Sequence, residues 1–144
     1  EKVEQVIICK NQAEESEKWL QTIVANSEEV MQKLELPYRV LEICSGDMGM
    51  AKYRMYDIET WMPSRNAFCE THSASNLHEF QARRLNLRYR DEEGKVQFCH
   101  TLNNTVVASP RILIALIEMY QNENGTITVP EALKPYMCGI DVIK

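Results

Sequence analysis

The sequence predicts an α+β fold, a mainly antiparallel sheet flanked by helices, in one domain of 144 residues. Three observations carry that prediction. Short segments rich in β-branched residues recur along the chain, and two of them flank Asp91-Glu92-Glu93-Gly94, a hairpin signal. Only two long stretches have helical spacing. Strands and helices do not alternate regularly, which argues against a parallel βαβ sheet.

Taken in order, Val3-Glu4-Gln5-Val6-Ile7-Ile8-Cys9 has the composition of a buried strand. From Ala13 to Leu34 the period changes. Leu20, Val24, Ser27, Met31 and Leu34 fall at helical spacing, Trp19 and Ile23 widen the stripe, and Glu and Lys fill the other face. This helix stops before Pro37, which disfavours helical geometry at Leu36. Tyr38–Ile43 reads as a second strand, Gly46–Gly49 as a turn, Tyr53–Trp61 as a third strand closed by Pro63, and Asn66–Ser73 as a fourth. Ala82–Arg90 and Lys95–Asn103 are the two strands of the hairpin. Ile112–Tyr120 is apolar nearly all round, which predicts a helix buried against the sheet. A loop at Glu123-Asn124-Gly125, a short Ile127–Val129 strand and a helical turn from Pro130 finish the chain.

Composition excludes several classes. Hydrophobic residues at 44% and charged ones at 26% exclude a disordered or collagen-like chain. A net charge of −5 argues against a protein that coats nucleic acid, which needs clustered Lys and Arg. It leaves room for a small anionic ligand held by one or two cations. The longest strongly apolar run, Ile112–Ile117, is far short of the roughly 20 residues of a membrane span. Glu1–Gln5 shows no basic segment followed by an apolar one, so no signal peptide is expected. The five cysteines are scattered without a C-x-x-C, which reads as free thiols in a reducing cytosol rather than a disulfide frame or zinc site.

Polar residues stand where strands should be apolar. Glu4 is in phase with Val6 and Ile8. It is either an edge-facing side chain at a frayed strand end or a carboxylate lining a pocket on the sheet. Glu70-Thr71-His72-Ser73 is dense in ligating groups whose oxygens suit Mg²⁺. Glu70 and Ser73 would face opposite ways on a regular strand, so a shared ligand requires a bend at Thr71–His72. Val96, Phe98, His100 and Leu102 alternate with Gln97, Cys99, Thr101 and Asn103, with Thr105 continuing the polar set. That polar row is a solvated face or the floor of a small-ligand site, since Asn and Thr offer donors and acceptors. Arg111 opens the most apolar helix behind Ser109-Pro110, where Ser109 suits a cap and Pro110 the first helical position. A guanidinium beside a helix N-terminus makes an anion site, although an arginine snorkelling to water has the same pattern. Arg84, Arg88 and Arg90 fall on one face of the expected strand, a solvated face or a short basic stripe for RNA.

Together these segments resemble one family. Leu102-Asn103-Asn104-Thr105-Val106-Val107-Ala108-Ser109-Pro110-Arg111-Ile112-Leu113 resembles the third signature motif of class II aminoacyl-tRNA synthetases. Glu70-Thr71-His72-Ser73, Phe80-Gln81-Ala82-Arg83-Arg84 and Leu87-Arg88-Tyr89-Arg90 are similar to the bacterial seryl-tRNA synthetases in particular. So are Lys2-Val3-Glu4-Gln5, which resembles the tail of the second motif, Gly46-Asp47-Met48-Gly49, and Pro130–Met137. The likeness is collinear over the whole chain. Ala74 stands where the family often has cysteine, an exchange expected to be neutral.

The resemblance implies residues 1–144 are the C-terminal portion of a class II catalytic domain, from the end of the second motif through the third. It implies activation of serine with ATP to seryl-adenylate, then transfer to tRNA(Ser), in the cytoplasm and without a membrane. By the same likeness, Arg111 holds the ATP γ-phosphate, and Glu70 and Ser73 coordinate Mg²⁺ bridging the phosphates. Glu4, Asn103 and Thr105 line the serine pocket. The family's N-terminal tRNA-binding arm, its first motif that makes the homodimer interface, and its second-motif loop are absent from these residues. The isolated chain is therefore expected to be inactive, and dimerisation is not assured. The competing reading is a truncated synthetase-like paralogue acting as a non-catalytic binding module.

Overall fold

The computed structural model describes all of residues 1–144. The chain runs β1 (Lys2–Cys9), α1 (Ala13–Lys33), β2 (Tyr38–Glu42), β3 (Arg54–Met62), β4 (Ala67–Asn76), α2 (Phe80–Leu85), β5 (Arg88–Arg90), β6 (Val96–Phe98), β7 (His100–Ala108), α3 (Ser109–Tyr120), β8 (Ile127–Thr128) and β9 (Val142–Ile143). Five strands form one antiparallel sheet in the order β1-β7-β4-β3-β2, and β5–β6 and β8–β9 are separate two-stranded pairs. The fold class matches the expectation.

The apolar stripe of α1 explains which sheet face is covered. Leu20, Ile23 and Val24 pack on Cys9, Ala74 and Leu102 from β1, β4 and β7. About two turns further on, Met31 and Leu34 join Leu36, Ile58, Ile112 and Ala115, where α3 meets the same face. Removing that apolar surface from water is the main stabilising term for the sheet. The opposite face of β1 is open, and Val6 and Ile8 remain 67% and 58% exposed.

Three expectations are corrected. Ala82–Arg90 is not one strand: Phe80–Leu85 is helical and ends at Asn86 in the left-handed region (φ 56°), leaving only Arg88–Arg90 extended. Ala, Leu and Arg are good helix formers, and the Glu79–Arg83 pair at 2.7 Å spans one helical turn. Arg84 thus lies on a helix and shares no strand face with Arg88 and Arg90. Lys95–Asn103 breaks at Cys99, whose N–H turns to the Leu87 carbonyl at 3.3 Å, and β7 then runs on to Ala108. Helix α3 is not buried all round. Only Ile112 and Ala115 are buried, whereas Leu113 and Ile117 are 49% and 45% exposed, because the sheet covers one side of the helix alone.

Candidate functional site

The site is built on two irregularities in strand pairing. Along β3 and β4 the opposed residues are Asp57 and Ser73, Ile58 and His72, then Glu59 and Glu70, so Thr71 is an extra residue on β4. Opposed residues share a face, and Asp57 and Glu59 are two apart. The bulge at Thr71 therefore turns Glu70 and Ser73 onto the same face, the bend the sequence spacing required. Thr71 is fully buried and held in place: its Oγ1 lies 2.6 Å from Thr60 Oγ1, 3.2 Å from the Ile58 carbonyl and 2.8 Å from His72 Nδ1. The His72 ring lies on the Ile58 side, 1% exposed, and burial lowers its pKa. It serves the core.

The second irregularity lies between β1 and β7, where Val3 opposes Val107 but Glu4 opposes Thr105. Thr105 Oγ1 donates to Glu4 Oε1 at 3.0 Å, and the same carboxylate pairs with the Lys2 ammonium. Glu4 is exposed rather than buried, so no desolvation problem arises. Asn103 opposes Val6 on β1 and Ser75 on β4, two residues before Thr105 and on the same face.

Directly after β7, α3 begins at Ser109 with Pro110 in its first turn. Ser109 does not cap it; the cap position is Ala108, and the Ser109 N–H bonds the Glu1 carbonyl at 3.1 Å. Arg111 reaches back over the bulge, its Nη1 3.0 Å from Glu70 Oε1 and 3.5 Å from the Glu70 carbonyl. A cleft of about 590 Å³ results, lined by Lys2, Glu70, Ser73, Thr105, Pro110 and Arg111 among others. Four of the six sequence-selected residues meet there. Glu4 joins through its bond to Thr105, and Asn103 sits one step further along the face, outside the lining.

A larger, more open hollow of about 800 Å³ lies between α1 and the β2–β3 end, lined by Glu14, Glu17, Glu42 and Arg54. Its one arginine is held by two carboxylates, at 2.7 Å by Glu17 and 2.8 Å by Glu42, and three glutamates to one arginine make that hollow acidic and a poor match for an anion.

Two residues escaped the sequence reading. Asp57 lies opposite Ser73, half-buried, with Oδ1 out of water and unbonded. Burial, and then the negative charge of Glu70, push its carboxyl up to about 6. The available signal was an acid on a strand with a second acid, Glu59, two residues on. Asn104 is fully buried between Asn103 and Thr105 on the opposite face. Period-two alternation marks it only as inward, a position usually apolar.

Chemically, the cleft combines one guanidinium, one carboxylate and one hydroxyl at one end with a second carboxylate and hydroxyl at the other. Arginine matches phosphate oxygens, and carboxylate with hydroxyl suits a hard cation. Glu4 with Thr105 can take a small hydroxylated molecule.

Comparisons with known proteins identify the family and the fold. The family described as tRNA synthetase class II core domain (G, H, P, S and T) matches residues 1–120. The chain is 54% identical over 142 residues to the serine–tRNA ligase of Deinococcus radiodurans, covering 99% of this chain and 33% of that protein. Among solved structures it is similar to seryl-tRNA synthetase from Pyrococcus horikoshii complexed with ATP. There the TM-score is 0.93 and the identity 45%, over 99% of this chain and 31% of the other. The cytoplasmic serine–tRNA ligase of Naegleria fowleri in complex with AMP gives a TM-score of 0.91 at 38% identity, over 99% of this chain and 33% of the other. The chain thus spans about a third of the length of these relatives.

Proposed function

Because this chain belongs to the class II tRNA synthetase core-domain family, we propose that it is the C-terminal portion of a seryl-tRNA synthetase catalytic domain. The complete protein activates serine with ATP and transfers it to tRNA(Ser). The observation that carries this reading is the bulge at Thr71, which turns Glu70 and Ser73 together toward Arg111 beside the Glu4–Thr105 pair.

In the reaction a serine carboxylate oxygen attacks the α-phosphorus of ATP, the bond to the bridging oxygen breaks, and pyrophosphate leaves. Alignment and charge stabilisation do most of the work in such transfers. Arg111 takes the γ-phosphate, so its contact with Glu70 gives way to phosphate oxygens. Glu70 and Ser73 hold Mg²⁺, which when bound neutralises phosphate charge. The fit is chemical: two oxygen donors share a face, and Asp57, whose Oδ1 has no hydrogen-bond partner, belongs to that face. Two protein oxygens plus phosphates match the habit of Mg²⁺.

Glu4 accepts from the serine hydroxyl, and Thr105 and Asn103 complete the pocket. A site built to bond a hydroxyl rejects the analogue lacking it, because its own polar groups are left unpaired. The complete protein is a cytoplasmic homodimer joined through segments upstream of these residues. None of the helices here is long and apolar enough to cross a membrane. A non-catalytic paralogue would keep the same residues, yet 54% identity to a serine–tRNA ligase disfavours it.

The test is ATP–pyrophosphate exchange by the complete protein, with serine and with alanine. Serine-dependent exchange, with alanine slower by roughly 10⁴-fold, is expected. No serine dependence overturns the reading. The 144-residue chain alone, a third of its relatives' length, is expected to give only background exchange.

A further inference from the structure

Beneath the cleft, on the face covered by α1, Asn104 is wholly buried and bonded to three neighbouring elements. Its Oδ1 accepts from Gln5 Nε2 on β1 at 2.6 Å and from Ser27 Oγ on α1 at 2.8 Å. Its Nδ2 donates to the Ser73 carbonyl on β4 at 3.2 Å. Gln5 is itself held, with Nε2 3.3 Å from the Ile23 carbonyl and Oε1 accepting from Asn26 Nδ2 at 2.6 Å. Both lone pairs of the Asn104 amide oxygen are used, so this is a satisfied network in a place where an unpaired amide would be costly.

The two ends of the cleft sit on different strands. Ser73 and Glu70 belong to β4, whereas Asn103 and Thr105 belong to β7, immediately either side of Asn104. Only three residue pairs join β4 to β7, and Asn104 opposite Ala74 is one of them. The Asn104 amide adds a side-chain tie to the backbone of Ser73 itself.

We propose that Asn104 is a positioning residue: it fixes the phosphate end of the cleft on β4 relative to the amino-acid end on β7, while touching neither ligand. The inference rests on the serine-activation reading above. Each ligand keeps its own contacts when Asn104 is truncated, so ground-state binding is spared. What suffers is the placement of the attacking carboxylate against phosphorus, which counts in the transition state.

The experiment is Asn104→Ala in the complete protein, followed by pyrophosphate exchange with serine and ATP each varied, beside a thermal melt. The expected result is a fall in kcat of roughly 10-fold or more, with both KM values within about threefold. Ser27→Ala, which removes one donor and leaves the Ser73 tie, is expected to lower kcat by about threefold in the same pattern. It carries the test if Asn104→Ala does not fold. A lower melting temperature with kcat unchanged in the variant that folds overturns the proposal, since that is what a purely structural amide gives. A rise in the serine KM alone also overturns it, by making Asn104 part of the pocket. Absence of serine-dependent exchange in the unsubstituted protein overturns the serine reading, and this inference with it.

Discussion

Arg111 and Glu70 stand 3.0 Å apart across the mouth of the cleft, one on the first turn of α3 and the other on the bulged strand β4. Their side chains are 52% and 40% exposed, so the pair is solvent-screened and adds little to stability. Its worth is as a poised anion site. Arg111→Ala in the complete protein is expected to cut ATP-dependent exchange by two orders of magnitude or more while the melting temperature holds. Arg111→Lys recovers only part of the activity, because an ammonium lacks the planar fork that matches phosphate oxygens. Exchange kinetics beside a melt check both statements.

The bulge gives a second expectation. Thr71 Oγ1 serves Thr60, the Ile58 carbonyl and His72 in a fully buried place. Thr71→Val keeps the shape and leaves those groups short of a partner, a cost of about 1–3 kcal/mol. Amide exchange in β3 and β4, read by mass spectrometry, is expected to quicken roughly 10- to 100-fold. Thr71→Ser retains the hydroxyl and is expected to stay close to the parent.

Much of this was legible in the chain. The helical stripe from Leu20 to Leu34 showed both the existence and the buried face of α1, and the three-residue spacing of Glu70 and Ser73 tied any ligand they share to a bend in the strand. The physical cause of that bend, a buried hydroxyl network around Thr71, depends on residues of β3 brought alongside and leaves no local trace. Residues 82–87 differ from the expected strand because the helix-forming Ala, Leu and Arg of Phe80–Leu85 outweigh the alternation that runs on into Arg88–Arg90, and the left-handed turn at Asn86 separates the two. Asn104 was invisible for a different reason. Its partners Gln5, Ser27 and Ser73 are far away along the chain and meet only in the folded protein.

Thr105 tests the amino-acid end of the cleft. Its hydroxyl donates to Glu4 at 3.0 Å, orienting the carboxylate that faces the serine hydroxyl in the proposed pocket. Thr105→Val removes a bond to a charged group, worth about 1.5–3 kcal/mol. The serine KM is expected to rise roughly 10- to 100-fold with the ATP KM nearly unchanged. An ATP effect as large as the serine effect would move Thr105 to the phosphate end.

The far end of the sheet holds a stack of rings, Tyr53 on His78 at 3.7 Å and His78 on His100 at 4.4 Å. Burial lowers the pKa of both histidines, and the charge of His78 lowers that of His100 further. A lowered pKa means the folded state prefers the neutral rings and binds fewer protons than the unfolded chain. Stability from this pair is therefore complete above the ordinary value of about 6.5 and drains away as pH falls toward the lowered values. Asp57, raised to about 6, works in the opposite direction, so the total slope is not diagnostic. The informative quantity is the difference between the unsubstituted protein and His78→Phe. Phenylalanine keeps the stack, removes one titrating ring and relieves His100 of a neighbouring charge. Melts between pH 7.5 and 5.5 are expected to show a shallower loss on acidification for His78→Phe, and equal slopes would mean the stack does not titrate with folding.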